Sequence, residues 1–531
     1  MRKQLKKWSG ELFAFFAVDG KTDWQNGIVG RICGKFLELK LPVDGGALIF
    51  EEEPDGIYGD CLTAGCTRAA FADACTLLID GPFIPAGIPA LYELRIQGSR
   101  AVLAPQTRFD AQWFEADFDA VFASRKKWVD RQECDSNPVL RRALSLLKTQ
   151  LCSPEGILSH YWTTPDRWPH RAMWLWDSVF HAMALRHVEP DYAKDSLRAV
   201  FDGQIENGFI PHMTSPGHRS EVTQPPILGY GIAKILEKSS DLDFLAELYP
   251  KNKAFLNWCA ANRDKDGAGL LEWFIHGDVS CRCGESGMDN SCRFDAAVQL
   301  EAADFNAFYA QECLQMGQFA ELLGLDADVI MWKERLERHN QLMNRRLWND
   351  EAGLYVDWDT AANRPSPILS SAGFLPMISG APTPEMVKRM VSLLCDPKKF
   401  GTILPVPSIA RDMNCYSRDM WRGPVWVNIN MLISEGLERY GYTELAAKIM
   451  EKTQSVIETY FNQYGTFFEF YDADDKLPPC DLDRKGPNNP YDPLCQPLRD
   501  YGWTGTLYID RCFQNSKKTK DESCYGKRKQ V

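Results

Sequence analysis

A few short segments of this chain combine carboxylates, aromatic rings and turn residues in a way that could do chemistry. The segment GESGMDNSCRFD, residues 284–295, sets Glu285, Asp289, Arg293 and Asp295 between a Gly-rich loop and a helix start. In GTFFEFYDADD, residues 465–475, Glu469 lies among aromatic residues. A carboxylate there is costly to bury, and its proton affinity is open to tuning. WLWDSVFHAMAL, residues 174–185, puts Asp177 beside Trp174 and Trp176, and in residues 207–231 a Gly/Pro-rich loop delivers Gln224 just before Pro225 and Pro226 at the head of a helix. RDMWRGPVWVNIN, residues 418–430, brings Trp421, Arg422 and Trp426 to another helix start, and Trp503 lies in the late YGWTGTLY. Taken singly these are ordinary. An Asp at a helix start is most often an N-cap, and a Trp is as often a core plug as a binding surface.

Together they suit a sugar. Sugar rings offer apolar C–H faces and hydroxyl edges, so their pockets combine flat aromatic surfaces with carboxylates, amides and guanidinium groups. Aromatic residues make up 12% of this chain. Glycosidic cleavage needs an acid to protonate the leaving oxygen and a carboxylate to activate water or to attack, with no metal or cofactor. Asp289 as acid and Glu469 as base meet that need, with Asp472 as an alternative base. An inverting pair stands roughly 6.5–9.5 Å apart and a retaining pair about 5–5.5 Å, a difference that sequence does not encode. Two other readings stay open: a disaccharide phosphorylase, which keeps the acid and uses phosphate in place of the base, and a non-catalytic sugar-binding protein. No nucleophile elbow, P-loop, H-E-x-x-H or dinucleotide fingerprint stands in a workable context. Cys281-Arg282-Cys283 with Cys292 lacks the pairing of a zinc site, and Asp264-Lys265-Asp266-Gly267 opens like a calcium loop but has Ile275 at its twelfth position, so we expect neither metal nor cofactor.

The elements that must position these residues fall into two patterns. Residues 27–116 hold short β-type runs (RICGKFLELKL, GALIFE, ACTLLI, ALYELRI) separated by turn residues, which reads as a β-sandwich. From about residue 136 the apolar period changes from two to 3.6. Helical stretches are expected near 137–152, 172–187, 190–206, 225–238, 243–263, 295–322, 325–347, 366–379, 383–395, 424–440, 443–463 and 501–513, which would make six hairpins. The longer connections are 207–224, 264–294, 348–365, 396–423 and 464–500, and they carry the residues singled out above. We therefore expect an N-terminal β-sandwich over 1–116, a helical linker over 117–135, a helical domain over 136–513 and a flexible charged tail over 514–531.

The chain has 531 residues, a net charge of -12 and a pI near 5.3, so nothing draws it to nucleic acid. The basic run from Lys517 to Lys529 reads as a solvated tail. No apolar run is long enough for a bilayer and the first residues do not read as a signal peptide, so a soluble, cytoplasmic protein without a membrane partner is expected. The 17 cysteines then read as mostly buried free thiols. Oligomeric state is not legible.

Eight blocks in one order, WLWDSVFHAMAL, NGFIPHM, TQPPILGYG, DKDGAGLLEW, GESGMDNSCRFD, LWNDEAGLYVDWD, MWRGPVWVNIN and YGWTGTLY, resemble glycoside hydrolase family 63. Within it the chain is most similar to the mannosylglycerate and glucosylglycerate hydrolase-like members, and more distantly to trehalases. The resemblance spans about residues 136–513. It implies an (α/α)6 barrel that removes a terminal α-linked sugar of glucose or mannose type with inversion, with Asp289 as general acid and Glu469 as general base. It also implies that Trp176, Asp177, Gln224, Arg293, Trp421 and Arg422 line the sugar pocket. With Trp174, Glu285, Trp426 and Trp503 these make the expected substrate-binding set. Where relatives continue the late Glu block into a Gly-rich turn, this chain has Asp474, Asp475, Pro478 and Pro479 and a long insert running to 499. An anionic leaving group would call on a loop cation, for which Arg219 and Arg282 are the candidates.

Overall fold

The computed structural model describes residues 11–528 apart from 41–44, 133, 135, 279, 490 and 493, with side chains described as far as residue 516. Eleven strands come first: β1 Glu11–Ala14, β2 Val29–Cys33, β3 Phe36–Lys40, β4 Ala47–Phe50, β5 Gly56–Ile57, β6 Cys61–Ala64, β7 Thr67–Asp73, β8 Thr76–Asp80, β9 Phe83–Ala86, β10 Tyr92–Gln97 and β11 Arg100–Pro105. They form two antiparallel sheets, ordered β1-β2-β3-β4-β9 and β10-β11-β8-β7-β6-β5. Alternate residues such as Leu37 and Leu39 on one sheet, and Leu77 and Ile79 on the other, meet in a shared core. β1 lies within the expected 1–116 domain but ahead of residue 27, where the β-type runs were read to begin. Its apolar run is continuous because both faces are covered: Phe13 and Phe15 enter the sheet core, while Leu12, Ala14 and Phe16 pack with the helices.

The helices follow as α1 Phe118–Asp130, α2 Pro138–Gln150, α3 Leu175–Val188, α4 Pro190–Asp202, α5 Leu228–Ser239, α6 Leu242–Asn262, α7 Ala303–Leu322, α8 Asp326–Arg346, α9 Pro384–Cys395, α10 Val427–Arg439, α11 Thr443–Tyr464 and α12 Gly502–Arg528. Between α8 and α9 the helix expected over 366–379 is a 3-10 segment, Ser371–Ser379. Pro376 inside it cannot donate to an α-helical ladder, and the tighter turn accommodates it. α7 starts several residues later than expected because Leu300–Glu301 is taken into a small sheet. α12 runs on to Arg528 instead of ending near 513; residues 514–528 contain no Pro and one Gly, so nothing breaks it.

Two grades of helix explain the arrangement. Nearly every residue of α3 and the first half of α7 is buried, whereas α8 buries only Trp332, His339 and Met343. A helix apolar all round belongs inside and one with a narrow apolar stripe belongs outside. Accordingly α3, α5, α7, the 3-10 segment, α10 and α12 each pack on the next, and α12 packs back on α3. Of the others, α2 lies against α12, α4 against α3, α6 and α8 against α7 and α11 against α10, while α1 packs on β7. Asp177, Gln224, Asp289, Trp426 and Trp503 all lie in the first turn of one of these inner helices or in the connection leading into it. None of the helices is long and apolar enough to cross a membrane among the described residues.

Candidate active site

The connections enclose a pocket of about 410 Å³. Of the residues singled out in sequence, Trp174, Trp176, Asp177, Gln224, Asp289, Trp421, Trp426, Glu469 and Trp503 line it, together with Pro165, His170, Gly287, Met420, Arg484 and Tyr501. The indoles are packed on one another. Trp421 and Trp426 stack with centroids 3.8 Å apart and planes 1° from parallel, and Trp503 stands edge-on to Trp176 at 5.2 Å. Each of these four rings is at most 2% exposed, so the same side chains are both core and pocket wall. Gln224 accepts from the Trp176 N–H at 3.2 Å, which ties the α5 connection to the start of α3.

Glu469 is placed by pairing on both sides: its own N–H donates to the Leu498 carbonyl at 3.0 Å, and two residues on Tyr471 exchanges backbone bonds with Val425. Its carboxylate takes a two-pronged contact from Arg484, Nε to Oε2 at 2.6 Å and Nη2 to Oε1 at 3.1 Å. The Leu498 N–H adds a third contact at 3.3 Å. Burial works against the charge on Arg484, but Glu469 outweighs it and the guanidinium pKa is raised. Asp289 lies 2.6 Å from Lys485 Nζ. Asp177 is 2% exposed and its Oδ1 has no hydrogen-bond partner among the described residues. Burial pushes its pKa well above the usual carboxylate range; its own backbone N–H opposes this, and Asp166, Glu469 and Asp289 add to it. The pocket thus holds two carboxylates each matched with a cation, and a third that resists ionisation.

The other expected residues are engaged outside the pocket lining. Arg293 is enclosed between Asp304 (2.7 and 2.9 Å) and Asp357 (2.7 and 2.8 Å), tying the loop after Asp289 to α7. Glu285 accepts from Arg263 at 2.5 and 3.1 Å and from the N–H groups of Thr223 and Phe274, so it braces the residue next to Gln224. Arg422 grips Asp295 at 2.6 and 2.8 Å. Asp472 closes its own turn by accepting from the N–H groups of Asp474, Lys476 and Leu477. Arg219 is spent on the carbonyls of Gly203 and Asp202, and Arg282 stands 4.0 Å from Asp295. Sequence reading passed over His170, Arg484, Lys485 and Tyr501. The long 464–500 connection was the available signal for Arg484 and Lys485, but nothing local marks which of its charges turns inward.

Residues 169–504 match the family model described as mannosylglycerate hydrolase MGH1-like glycoside hydrolase domain. Mannosylglycerate hydrolase MGH1 of Selaginella moellendorffii is 24% identical over 438 residues, covering 66% of this chain and 86% of its own. The mannosylglycerate hydrolase of Thermus thermophilus is 26% identical over 392 residues, 58% of this chain and 91% of its own. A crystal structure of a family 63 mannosylglycerate hydrolase from Thermus thermophilus in complex with glucose superposes with a TM-score of 0.58 at 23% identity, covering 71% of this chain and all of its own.

Proposed function

Because this chain belongs to the mannosylglycerate hydrolase MGH1-like glycoside hydrolase family, we propose that it removes a terminal α-linked glucose- or mannose-type sugar from a small glycoside with inversion, Asp289 serving as general acid and Glu469 as general base. The observation that carries this reading is the convergence of Asp289, Glu469 and stacked indoles on one pocket. The ring of inner helices is read as an (α/α)6 barrel, with the catalytic domain over 136–513.

In this mechanism the indoles cover the apolar faces of the sugar, while Asp177 and Gln224 meet its hydroxyl edge. Asp289 gives its proton to the glycosidic oxygen as the bond to the anomeric carbon breaks. Glu469 takes a proton from a water that attacks the opposite face, and Arg484 keeps the base aimed. A phosphorylase would need cations available for phosphate, whereas Arg484 and Lys485 are each committed to a carboxylate. The purely binding reading leaves Asp289 and Glu469 without a task.

The test is incubation with α-linked glucosides, mannosides, glycosylglycerates and trehalose, with the first-released anomer read by proton NMR. The β-anomer should appear first, and Asp289→Asn and Glu469→Gln should each lose on the order of 10²–10⁴ in kcat. First release of the α-anomer would refute inversion. Turnover that required added phosphate would favour the phosphorylase, and no release under any condition would sink the enzyme reading.

A further inference from the structure

Two consecutive side chains of the 464–500 connection reach two different carboxylates of the pocket: Arg484 meets Glu469, and Lys485 Nζ lies 2.6 Å from Asp289. The turn that presents them is firmly held. Lys485 and Gly486 have φ of +55° and +117°, and their N–H groups donate to Asp419 at 2.8 and 3.0 Å. Asn290, the neighbour of Asp289, donates to the same Asp419 carboxylate at 2.9 Å and accepts from the Trp421 N–H at 3.1 Å. Asp289 and Lys485 therefore share one frame, and an ammonium so placed bears directly on any charge that develops on Asp289. Burial opposes the charge on Lys485, but Asp289 more than restores it, and the lysine pKa lies above its usual value. Cys281 also contacts Asp289, and its thiol pKa is pushed up to about 12, first by burial, so it brings no competing charge.

We propose that Lys485 is a positioning residue for proton delivery: it aims the Asp289 carboxyl and stabilises the carboxylate left behind when the proton departs. The proposal rests on the reading of Asp289 as general acid. Asp289, whose side chain is 21% exposed, takes up a proton from solvent before the step; its O–H bond then breaks and an O–H bond forms on the glycosidic oxygen. The electron pair of the anomeric C–O bond stays with that oxygen, and Asp289 ends as a carboxylate beside the ammonium. Lys485 itself gives up no proton. Fixed charges aimed at where charge develops are worth most in such a site, because they need no reorganisation as the reaction proceeds.

A leaving group that needs no protonation separates this role from a merely structural one. The full-length protein, with Lys485→Met, Lys485→Arg and Asp289→Asn, is assayed on the α-glycosyl fluoride and on the matching methyl α-glycoside and glycosylglycerate, in both the glucose and mannose series. For Lys485→Met the rate on the O-glycosides should fall about 10- to 100-fold further than on the fluoride, whereas Lys485→Arg, which keeps the cation, should restore most of that difference. Asp289→Asn should show the same split, larger. Equal losses on fluoride and O-glycoside, or no loss on either, would overturn the proposal while leaving the hydrolase reading intact. A wild-type protein inert towards every one of these probes would overturn both.

Discussion

Gly287 sits two residues before Asp289, and a side chain there has nowhere to go. Its φ is +68°, and a Cβ would fall 2.3 Å from the Trp176 ring. Trp176 is itself locked by its edge-on contact with Trp503 and so has little room to yield. Gly287→Ala should therefore cost about 1–3 kcal/mol of stability and displace the indole from the pocket wall. Paired thermal melts and kinetics check this: a lower melting temperature should come with a raised KM, and an unchanged value of both would show that the loop shifts freely. The same contact ties structure to site, since the glycine lets the loop before Asp289 lie directly on an aromatic ring.

At the scale of elements, a small sheet ties the entry of α7 to its neighbours. Leu300–Glu301 pairs with Glu272–Trp273 on one side and Trp358–Asp359 on the other, setting Glu301 opposite Glu272. Glu301 is fully buried, and its pKa is pushed to about 7, first by burial, with Arg346 opposing and Asp266 and Glu272 adding. The native state thus holds a proton on Glu301 up to about pH 7, whereas the unfolded chain releases it near the usual 4.5. Between those values the native state binds more protons, so this group's contribution to stability falls as pH rises through the window and does not recover above it. Glu301→Gln, neutral at every pH, should flatten the decline in melting temperature across pH 4.5 to 7; a parallel decline in wild type and variant would rule the group out. The strand is covered by its two neighbours, and the cost of burying its acidic side chain is offset in part by Arg346 at 2.5 Å.

For the whole molecule the question is what the N-terminal sheets contribute, since the family model matches residues 169–504 and leaves them outside. Arg31 of β2 is 1% exposed and donates to three carbonyls, those of Asp166 (2.5 Å), Trp168 (2.6 Å) and Arg499 (3.2 Å). These carbonyls belong to the two connections that carry Pro165, His170, Tyr501 and Trp503 to the pocket. Asp166 in turn holds His170 at 2.7 Å, and the N–H of Leu12 in β1 donates to Asp500 at 2.5 Å. The sheets therefore buttress one wall of the pocket. Arg31→Met strands those carbonyls, and should cost about 2–4 kcal/mol and lower kcat/KM. Arg31→Lys should recover little of this, because a point-like ammonium does not reproduce the fork. Full activity in Arg31→Met despite a lowered melting temperature would separate the sheets from the site.

Local chemistry alone determined much of this protein. The change of period near residue 136, the β-type runs before it and the helical stretches after it were legible because side chains report burial at fixed intervals along their own element. So were the segments holding Asp177, Gln224, Asp289, Glu469 and the tryptophans that line the pocket, because Gly, Pro and aromatic residues mark such connections by type. Which charge serves which partner was not legible. Arg293 and Glu285 look as catalytic in sequence as Asp289 does, yet Asp304 with Asp357 takes the one and Arg263 the other. Arg484 and Lys485 look like solvated loop cations, yet they turn onto Glu469 and Asp289. Ion pairs and pocket walls join residues far apart along the chain, and only the closing of the helices upon one another brings them within reach.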